Sequence, residues 1–309
     1  MNDGFSEDID HGLCAVPKAL PCKYLYDDHG VALFDAICQL EAYYPTRTEL
    51  EILCKNRKAI ADVIGHHDQI VELGAGNGEK VRLLLASSEG FARYIPVDIS
   101  PAYLATCVAA VRRHFPRLHV LPVCADYTAP FALPALPARS TLVFFPGSTL
   151  GNFEPPHAVA FLRRIACLVG PAGGLLIGVD LKKDRAILER AYNDREGVTA
   201  AFNKNLLARI NRELSGNFNL DRFDHHAFYN EPHGRIEMRL ISGDAQSVSV
   251  GGRAYPLGKG EAITTEHSYK YAVNEFAALA HGAGFVQQAV WVDEGNLFSL
   301  QYLASSHRR

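Results

Sequence analysis

Glu72, Gly74, Ala75, Gly76, Gly78 and Lys80 fall within eleven residues, Ile70-Val71-Glu72-Leu73-Gly74-Ala75-Gly76-Asn77-Gly78-Glu79-Lys80. An apolar run, an acidic residue, a glycine loop and a helix-like segment follow one another. Glycines let the backbone take positive φ and approach a ligand closely, so the run predicts a nucleotide-type cofactor. Asp98 stands about twenty residues on, at the end of the next apolar run, where a carboxylate can accept both ribose hydroxyls, as it also does for NAD. Three features favour S-adenosylmethionine over a nicotinamide cofactor. Glu72 before the loop would repel a pyrophosphate but suits an ammonium and a sulfonium; the loop is not G-x-G-x-x-G; and Asp126-Tyr127 offers an acceptor for an adenine amino group with an aromatic ring beside it. Plainer roles remain open for each: Glu72 as a helix cap, Asp126 as a turn cap, Lys80 as a solvated helix residue instead of a contact to the cofactor's methionine carboxylate. Asn152, in the run Pro146-Gly147-Ser148-Thr149-Leu150-Gly151-Asn152-Phe153, carries an acceptor and a donor suited to orienting an amine, or serves as a turn residue before the helix start at Pro155.

Bulk properties exclude other chemistries. The chain has 309 residues, 48% of them hydrophobic, with a net charge of −3; nothing in that balance resembles a nucleic-acid footprint. Apolar runs fall short of a membrane span, and the acidic first ten residues do not read as a signal peptide. Seven cysteines, widely spaced and without a C-x-x-C, fit free thiols in a reducing cytoplasm. His66-His67 and His225-His226 are sequence neighbours, which do not share a helix face, and no H-E-x-x-H occurs, so no metal is expected.

The elements that must position these residues follow from periodicity. Residues 1–16 read as a flexible tail and 17–60 as helical with a break at Tyr43–Glu49, where Thr46 or Thr48 caps the next helix. Strands are expected at 69–73, 93–97, 118–124, 140–145 and 174–179, with helices at 79–86, 101–115 and 155–169 between them. That alternation implies a doubly wound parallel sheet with helices on both faces. After Asp180 it stops: two helices over 183–213 precede strands at 223–229, 235–240, 246–250 and 262–269. A helix at 272–283 and strands at 284–292 and 297–303 then complete the sheet through a hairpin at Asp293-Glu294-Gly295-Asn296. The fold class is thus α/β, Rossmann-like, with an α+β second lobe. Residues 61–182 and 272–309 form the S-adenosylmethionine-binding domain, 17–60 and 183–271 the substrate lobe, and a cleft between lobes is the expected place for a substrate.

Longer motifs carry a resemblance. Lys23-Tyr24-Leu25-Tyr26-Asp27, Ala32-Leu33-Phe34-Asp35, Tyr43-Tyr44-Pro45-Thr46-Arg47-Thr48-Glu49, Glu72-Leu73-Gly74, Glu79-Lys80 and the Pro146–Phe153 run come first. Gly178-Val179-Asp180-Leu181-Lys182-Lys183-Asp184, Ala191-Tyr192-Asn193-Asp194, Gly197-Val198-Thr199-Ala200-Ala201-Phe202-Asn203, Ile236-Glu237-Met238 and Thr265-Glu266-His267-Ser268-Tyr269-Lys270 follow. From about residue 20 to the end the chain resembles the L-histidine Nα-methyltransferase family of ergothioneine biosynthesis. It departs from that family's common pattern at Ala75 and Asn77 in the loop, at Tyr127 and at His267. The resemblance implies a class I methyltransferase sheet and a set of roles. Asn152 holds the substrate α-amino group with Tyr43 and Gly147; Tyr26 and Tyr192 bind its carboxylate; Glu266 and Ser268 hold the imidazole; Met238 and Phe34 line the pocket. Glu72, Gly74, Ala75, Gly76, Lys80, Asp98, Asp126 and Tyr127 hold the cofactor.

The expected reaction is methyl transfer to the α-amino nitrogen of L-histidine, repeated to the trimethylated hercynine, with S-adenosylhomocysteine as co-product. Asn152, Tyr26 and Tyr43 stand nearest the chemistry, and most of the acceleration comes from positioning. A carboxylate such as Glu266 accepts from an imidazole N–H, and Ser268, two residues on along a strand, faces the same side. Two other readings compete: an N-methyltransferase for another amino acid or aromatic amine, and a non-catalytic binder of the cofactor. The partner is a small molecule, with neither nucleic acid nor membrane, and the chain is expected to act as a monomer in the cytoplasm.

Overall fold

A computed structural model describes residues 3–88, 90–134 and 138–306. The chain divides into two units, Pro45–Lys182 with Lys270–Arg309, and Met1–Tyr44 with Lys183–Tyr269.

The first of these units is built on an eight-stranded sheet. Its order is Phe285–Val292, Phe298–Ser305, Gly174–Asp180, Thr141–Phe145, Gln69–Leu73, Arg93–Asp98, His119–Val120, with Val123–Cys124 also paired to Arg93–Asp98. From Gly174–Asp180 onward in that order the pairings are parallel, while the last two strands of the chain form an antiparallel hairpin added to the edge. The strand expected over 118–124 is two short pieces: Pro122 lies between them, and a proline has no N–H to give a ladder. Chain order reverses beside Gln69–Leu73, the position at which open α/β sheets bind ligands. Helix Tyr44–Ile64 starts earlier than the expected Thr46 or Thr48 cap, because Pro45 is tolerated in a first helical turn. Its Ile52, Leu53, Ile60 and Ile64 belong to the sheet's buried core, so the lobe expected over 17–60 ends at Tyr44.

The other unit is α+β. A sheet of order Lys18–Ala19, Ala262–Tyr269, Arg235–Ser242, Phe223–Asn230 accompanies helices Asp3–Cys14, Asp28–Gln39, Arg185–Tyr192 and Val198–Glu213. The expected tail over 1–16 is overturned by Asp3–Cys14. Phe5, Ile9 and Leu13 recur every fourth residue and are buried at 6%, 0% and 1% exposure, a helical stripe that the acidic composition concealed. Strand Arg253–Leu257 was not expected either. It pairs with Gln246–Val250 across Gly251-Gly252, and Pro256 within it weakens the strand signal.

Asp27 caps Asp28–Gln39 by accepting the Gly30 N–H. Asp194 accepts the N–H groups of Val198 and Thr199 at 2.7 and 2.8 Å and so starts Val198–Glu213. These caps satisfy donors that a helix start leaves open. Among the described residues no helix is long and apolar enough to cross a membrane, and no group of three or more His, Cys, Asp and Glu side chains is disposed to hold a metal ion.

Candidate active site

In the sheet unit, strand Gln69–Leu73 is buried along its whole length and delivers the chain into the glycine loop. Gly74, Gly76 and Gly78 take φ of 74°, 51° and 71°, values that side chains rarely tolerate. The Gly74 N–H donates to the Val97 carbonyl at 2.8 Å, fastening the loop to the neighbouring strand. A Cβ on Gly78 would stand 2.8 Å from the Cys107 sulfur, whereas one on Gly74 would meet only the Tyr127 ring at 3.8 Å and one on Gly76 nothing within 4 Å. Gly78 is therefore a packing glycine, and Gly74 and Gly76 keep the loop's outer surface bare.

Asp98 closes the loop from the next strand. Its carboxylate accepts the Gly76 N–H at 3.2 Å and the Ser100 N–H at 2.9 Å. Burial raises its pKa, against the N–H groups of Ser100, Gly76, Ile99 and Ala75 that favour the anion. Glu72 is 1% exposed and accepts the Tyr94 hydroxyl, a partner that neither of its sequence readings included. Burial pushes its carboxyl up to about 8, and neighbouring Asp98 and Glu49 add to this while Tyr94 and Lys80 oppose it. Glu72 thus keeps its proton near neutrality, which qualifies its expected repulsion of a pyrophosphate.

Asp126 caps its own turn, accepting the Thr128 N–H at 2.8 Å. Tyr127 stands edge-on to Phe145 at 5.6 Å, and Arg164 donates to the Thr128 carbonyl at 2.7 Å, fixing the segment from below.

Glu49, the last residue of the Tyr43–Glu49 motif, has no expected role in the sequence, and it organises this region. Its side chain is fully buried and pairs with Lys80 Nζ at 2.5 Å. It also accepts the Gly147 N–H at 2.9 Å. A Cβ on Gly178 would stand 2.1 Å from Glu49 Oε1, so the glycine there makes room for the carboxylate. The signal was available: Glu49 precedes buried Ile52 and Leu53 by three and four residues, on the same helix face. Beyond Gly147 (φ 80°), Ser148 holds φ 57° without being glycine, secured by the Asp180 N–H donating to its Oγ at 2.9 Å. This bent segment leads into the short helix Thr149–Asn152. The Asn152 amide makes no side-chain hydrogen bond among the described residues.

The residues present fit S-adenosylmethionine. Gly74, Gly76 and Gly147 leave a surface without side chains, Asp98 supplies a buried carboxylate at the loop, and Tyr127 and Lys80 flank it, each close to where a glycine Cβ would be.

In the other unit the expected acceptor residues come together. Tyr26 lies 5.5 Å from Phe34, Phe34 6.2 Å from Tyr43, and Tyr43 6.3 Å from Tyr192, all edge-on. Phe202, which the sequence reading left without a role, completes the group at 5.4 Å from Tyr26. On strand Ala262–Tyr269, Glu266 and Ser268 are 8% and 4% exposed, while His267 between them lies on the other face. Met238 is the register partner of Glu266. Tyr192 donates to Ser268 Oγ at 3.0 Å, joining two hydroxyls expected at opposite ends of a bound acceptor. Burial raises the Tyr43 pKa far above its ordinary 10.0, and Tyr192, Cys38, Tyr26 and Glu266 add to the shift. Tyr43 therefore remains a phenol, a donor rather than a base. Asn152 and Gly147, expected to share the substrate amine with Tyr43, belong to the sheet unit.

Residues 5–305 match the model of a family described as histidine-specific, SAM-dependent methyltransferases. The chain is 40% identical over 304 residues to the histidine N-alpha-methyltransferase of Mycolicibacterium smegmatis, covering 96% of this chain and 94% of that protein. It is 38% identical over 302 residues to the enzyme of the same name from Mycobacterium tuberculosis, with the same coverage. It is also 31% identical over 299 residues to ergothioneine biosynthesis protein 1 of Neurospora crassa, covering 94% of this chain and 33% of that longer protein.

Proposed function

From the premise that this chain belongs to the histidine-specific, SAM-dependent methyltransferase family, we propose that it methylates the α-amino nitrogen of L-histidine three times, giving hercynine for ergothioneine biosynthesis. One observation carries the choice of acceptor: a buried carboxylate and a buried hydroxyl, Glu266 and Ser268, lie on one strand face in the unit that also gathers Tyr26, Phe34, Tyr43, Tyr192 and Phe202. An imidazole presents two nitrogens, and such a pair can accept from one and bond the other. An indole has one N–H and no second polar site.

Gly74, Ala75, Gly76, Lys80, Asp98, Asp126 and Tyr127 would hold S-adenosylmethionine, which supplies an electrophilic methyl group on a sulfonium. Near it Glu72, a neutral acid in the free protein, gains a reason to ionise. The chain's own contribution is orientation. Asn152 offers its amide oxygen to the substrate amine, Tyr43 supplies a phenolic donor, and Tyr26 and Tyr192 supply hydroxyls for the carboxylate. Only a neutral amine has the lone pair the reaction needs. With Tyr43 held as a phenol, no described side chain in the acceptor group is a strong base. The amine proton goes to the Tyr26 hydroxyl or to water, and acceleration rests on placement of the reacting atoms at about 3–3.5 Å.

A labelled-methyl assay tests this. Histidine is expected to accept three methyl groups, and tryptophan or phenylalanine none at equal concentration. Glu266→Ala is expected to raise KM for histidine by a factor on the order of 10–100, the scale of a lost hydrogen bond to a charged group. Transfer to tryptophan in preference to histidine, or an unchanged KM in the folded variant, would overturn the assignment.

A further inference from the structure

Four elements of the α+β unit are closed into one hydrogen-bonded circuit. It begins at Thr265, the extra residue of a bulge: Thr264 pairs with Arg239, and the next partner, Met238, faces Glu266. A bulge re-aims the side chains that follow it, so Thr265 sets the direction of Glu266 and Ser268. Thr265 Oγ1 donates to Asn203 Oδ1 at 2.6 Å. Asn203 Nδ2 donates to the Arg239 carbonyl at 3.1 Å and lies 3.0 Å from His225 Nδ1. His225 Nε2 lies 2.8 Å from the Tyr192 carbonyl, and the Tyr192 hydroxyl returns to Ser268 on the starting strand.

Two carbonyl oxygens, which only accept, fix the protons in this circuit. The Arg239 carbonyl requires the amide nitrogen of Asn203 beside it, so His225 Nδ1 must accept. The Tyr192 carbonyl requires a proton on His225 Nε2. Only the neutral Nε2–H tautomer satisfies both, an assignment made from the network. An imidazolium would set Nδ1–H against an amide N–H. The surroundings agree: burial lowers the His225 pKa below its ordinary 6.5, His226 on its own strand and Lys204 on the helix push the same way, and the Tyr192 carbonyl and Asp194 oppose them. Arg239, on the adjoining strand, has its guanidinium paired with Glu237. Asn203 and Thr265 are 0% and 1% exposed, where an unsatisfied polar atom is costly.

We propose that Asn203 and His225 are positioning residues for the acceptor: by holding the bulge at Thr265 to the helix end at Tyr192, they aim Glu266 and Ser268 at the imidazole and set the Tyr192 hydroxyl that bonds Ser268. The inference rests on the reading of Glu266 and Ser268 as the imidazole-binding pair.

Steady-state kinetics with histidine, S-adenosylhomocysteine calorimetry and ¹⁵N spectra of the histidine rings test it together. Asn203→Ala and His225→Leu are expected to raise KM for histidine on the order of tenfold, with kcat changed less and S-adenosylhomocysteine affinity within about twofold. His225→Gln, which keeps a donor toward the Tyr192 carbonyl, is expected to recover most of the loss. Because the effect passes through Glu266, adding Asn203→Ala to Glu266→Ala should raise KM by much less than the product of the single effects. The His225 ring should show a neutral Nε2–H tautomer at pH 7.

Fully multiplicative effects, a protonated or Nδ1–H ring, or a folded Asn203→Ala enzyme with unchanged KM beside an impaired Glu266→Ala one would overturn this inference alone. A Glu266→Ala enzyme with unchanged KM would overturn the imidazole reading and this inference together. Should Asn203→Ala fail to fold, the two His225 variants carry the same comparison.

Discussion

The two units secure the polar groups of their expected binding surfaces with different shares of backbone and side-chain bonds. Around the glycine loop, backbone N–H groups reach two buried carboxylates, Asp98 from Gly76 and Ser100 and Glu49 from Gly147, while Lys80 pairs with Glu49 and the Tyr94 hydroxyl serves Glu72. In the acceptor group side chains hold side chains, as Thr265 with Asn203 and Tyr192 with Ser268. A backbone donor needs the chain itself to come near: Gly76 gives its N–H to Asp98 and Gly147 to Glu49, while the glycine at 178 makes room for the Glu49 carboxylate. A side-chain donor needs only the right face of a strand or helix. Substitutions in the sheet unit should therefore break the loop, and substitutions in the acceptor group should detune its aim.

Glu49→Ala is the harshest test of that contrast. It leaves Lys80, whose side chain is 18% exposed, without its carboxylate, and it frees the Gly147 N–H. Breaking a buried pair by removing one partner costs roughly 3–5 kcal/mol. The expected outcome in thermal and denaturant unfolding is a large loss of stability, with no S-adenosylhomocysteine binding detectable by calorimetry. Gly178→Ala should imitate it, since the added carbon would collide with Glu49 Oε1. A stable Glu49→Ala protein with normal binding would remove Glu49 from the account. Asp98→Ala is milder. It removes an acceptor from two N–H groups and a carboxylate from the ligand surface, a change of about 2 kcal/mol by the scale of charge-assisted bonds. S-adenosylhomocysteine affinity should fall about 30-fold while KM for histidine, at saturating cofactor, moves little.

The same contrast explains what was legible in the sequence. A glycine loop after an apolar run, and Asp98 at the next strand end, are local patterns, and the sheet around them follows from alternating periods. Strand Phe298–Ser305 and its hairpin partner were readable for the same reason. Glu49 was less visible because its partners Lys80, Gly147 and Gly178 lie far along the chain, and only the fold brings them together. Helix Asp3–Cys14 was hidden by composition, since three apolar residues among acidic ones look like a tail until their four-residue spacing is counted. Asn203, His225 and Thr265 carry no spacing signal, for they stand on three different elements. Glu266 and Ser268 drew notice through a family motif and an alternating pattern, but the bulge that aims them is a property of strand pairing.

Acidity separates the two units as well, with opposite signs. Native Glu72 keeps a proton up to about 8, whereas the unfolded chain releases it near the ordinary 4.5. Stability contributed there is complete below 4.5 and declines as pH rises toward 8. In the acceptor unit, burial alone would raise Glu237, but Arg235, Arg239 and Asn230 outweigh it and hold the carboxyl at about 2. Its contribution is complete above the ordinary 4.5 and is lost as pH falls toward 2. Melting curves across pH should show this. Glu72→Gln, which keeps an acceptor for Tyr94, should melt above the parent at pH 8 and converge with it at pH 5. Glu237→Gln should melt below the parent at pH 7 and converge near pH 2. A Glu72→Gln protein less stable than the parent at pH 8 would mean that the native carboxyl is ionised there and that Lys80 holds it.

The smallest change addresses the hydroxyl pair in the acceptor group. Tyr192→Phe keeps the ring and its edge-on packing on Tyr43 and removes the hydrogen bond to Ser268. A neutral hydrogen bond contributes about 1 kcal/mol net, so KM for histidine should rise about fivefold while the melting temperature and S-adenosylhomocysteine affinity stay near parental values. The Ser268 hydroxyl then loses its bond from Tyr192, and Ser268→Ala added to Tyr192→Phe should raise KM by less than the two separate effects combined. If the two effects multiply in full, each hydroxyl contacts the acceptor independently. Tyr192 would then bind the carboxylate and Ser268 the imidazole as separate sites, and the acceptor group would be as rigidly partitioned as the loop. Sub-multiplicative effects place the pair within one network, in which the aim of one hydroxyl depends on the other.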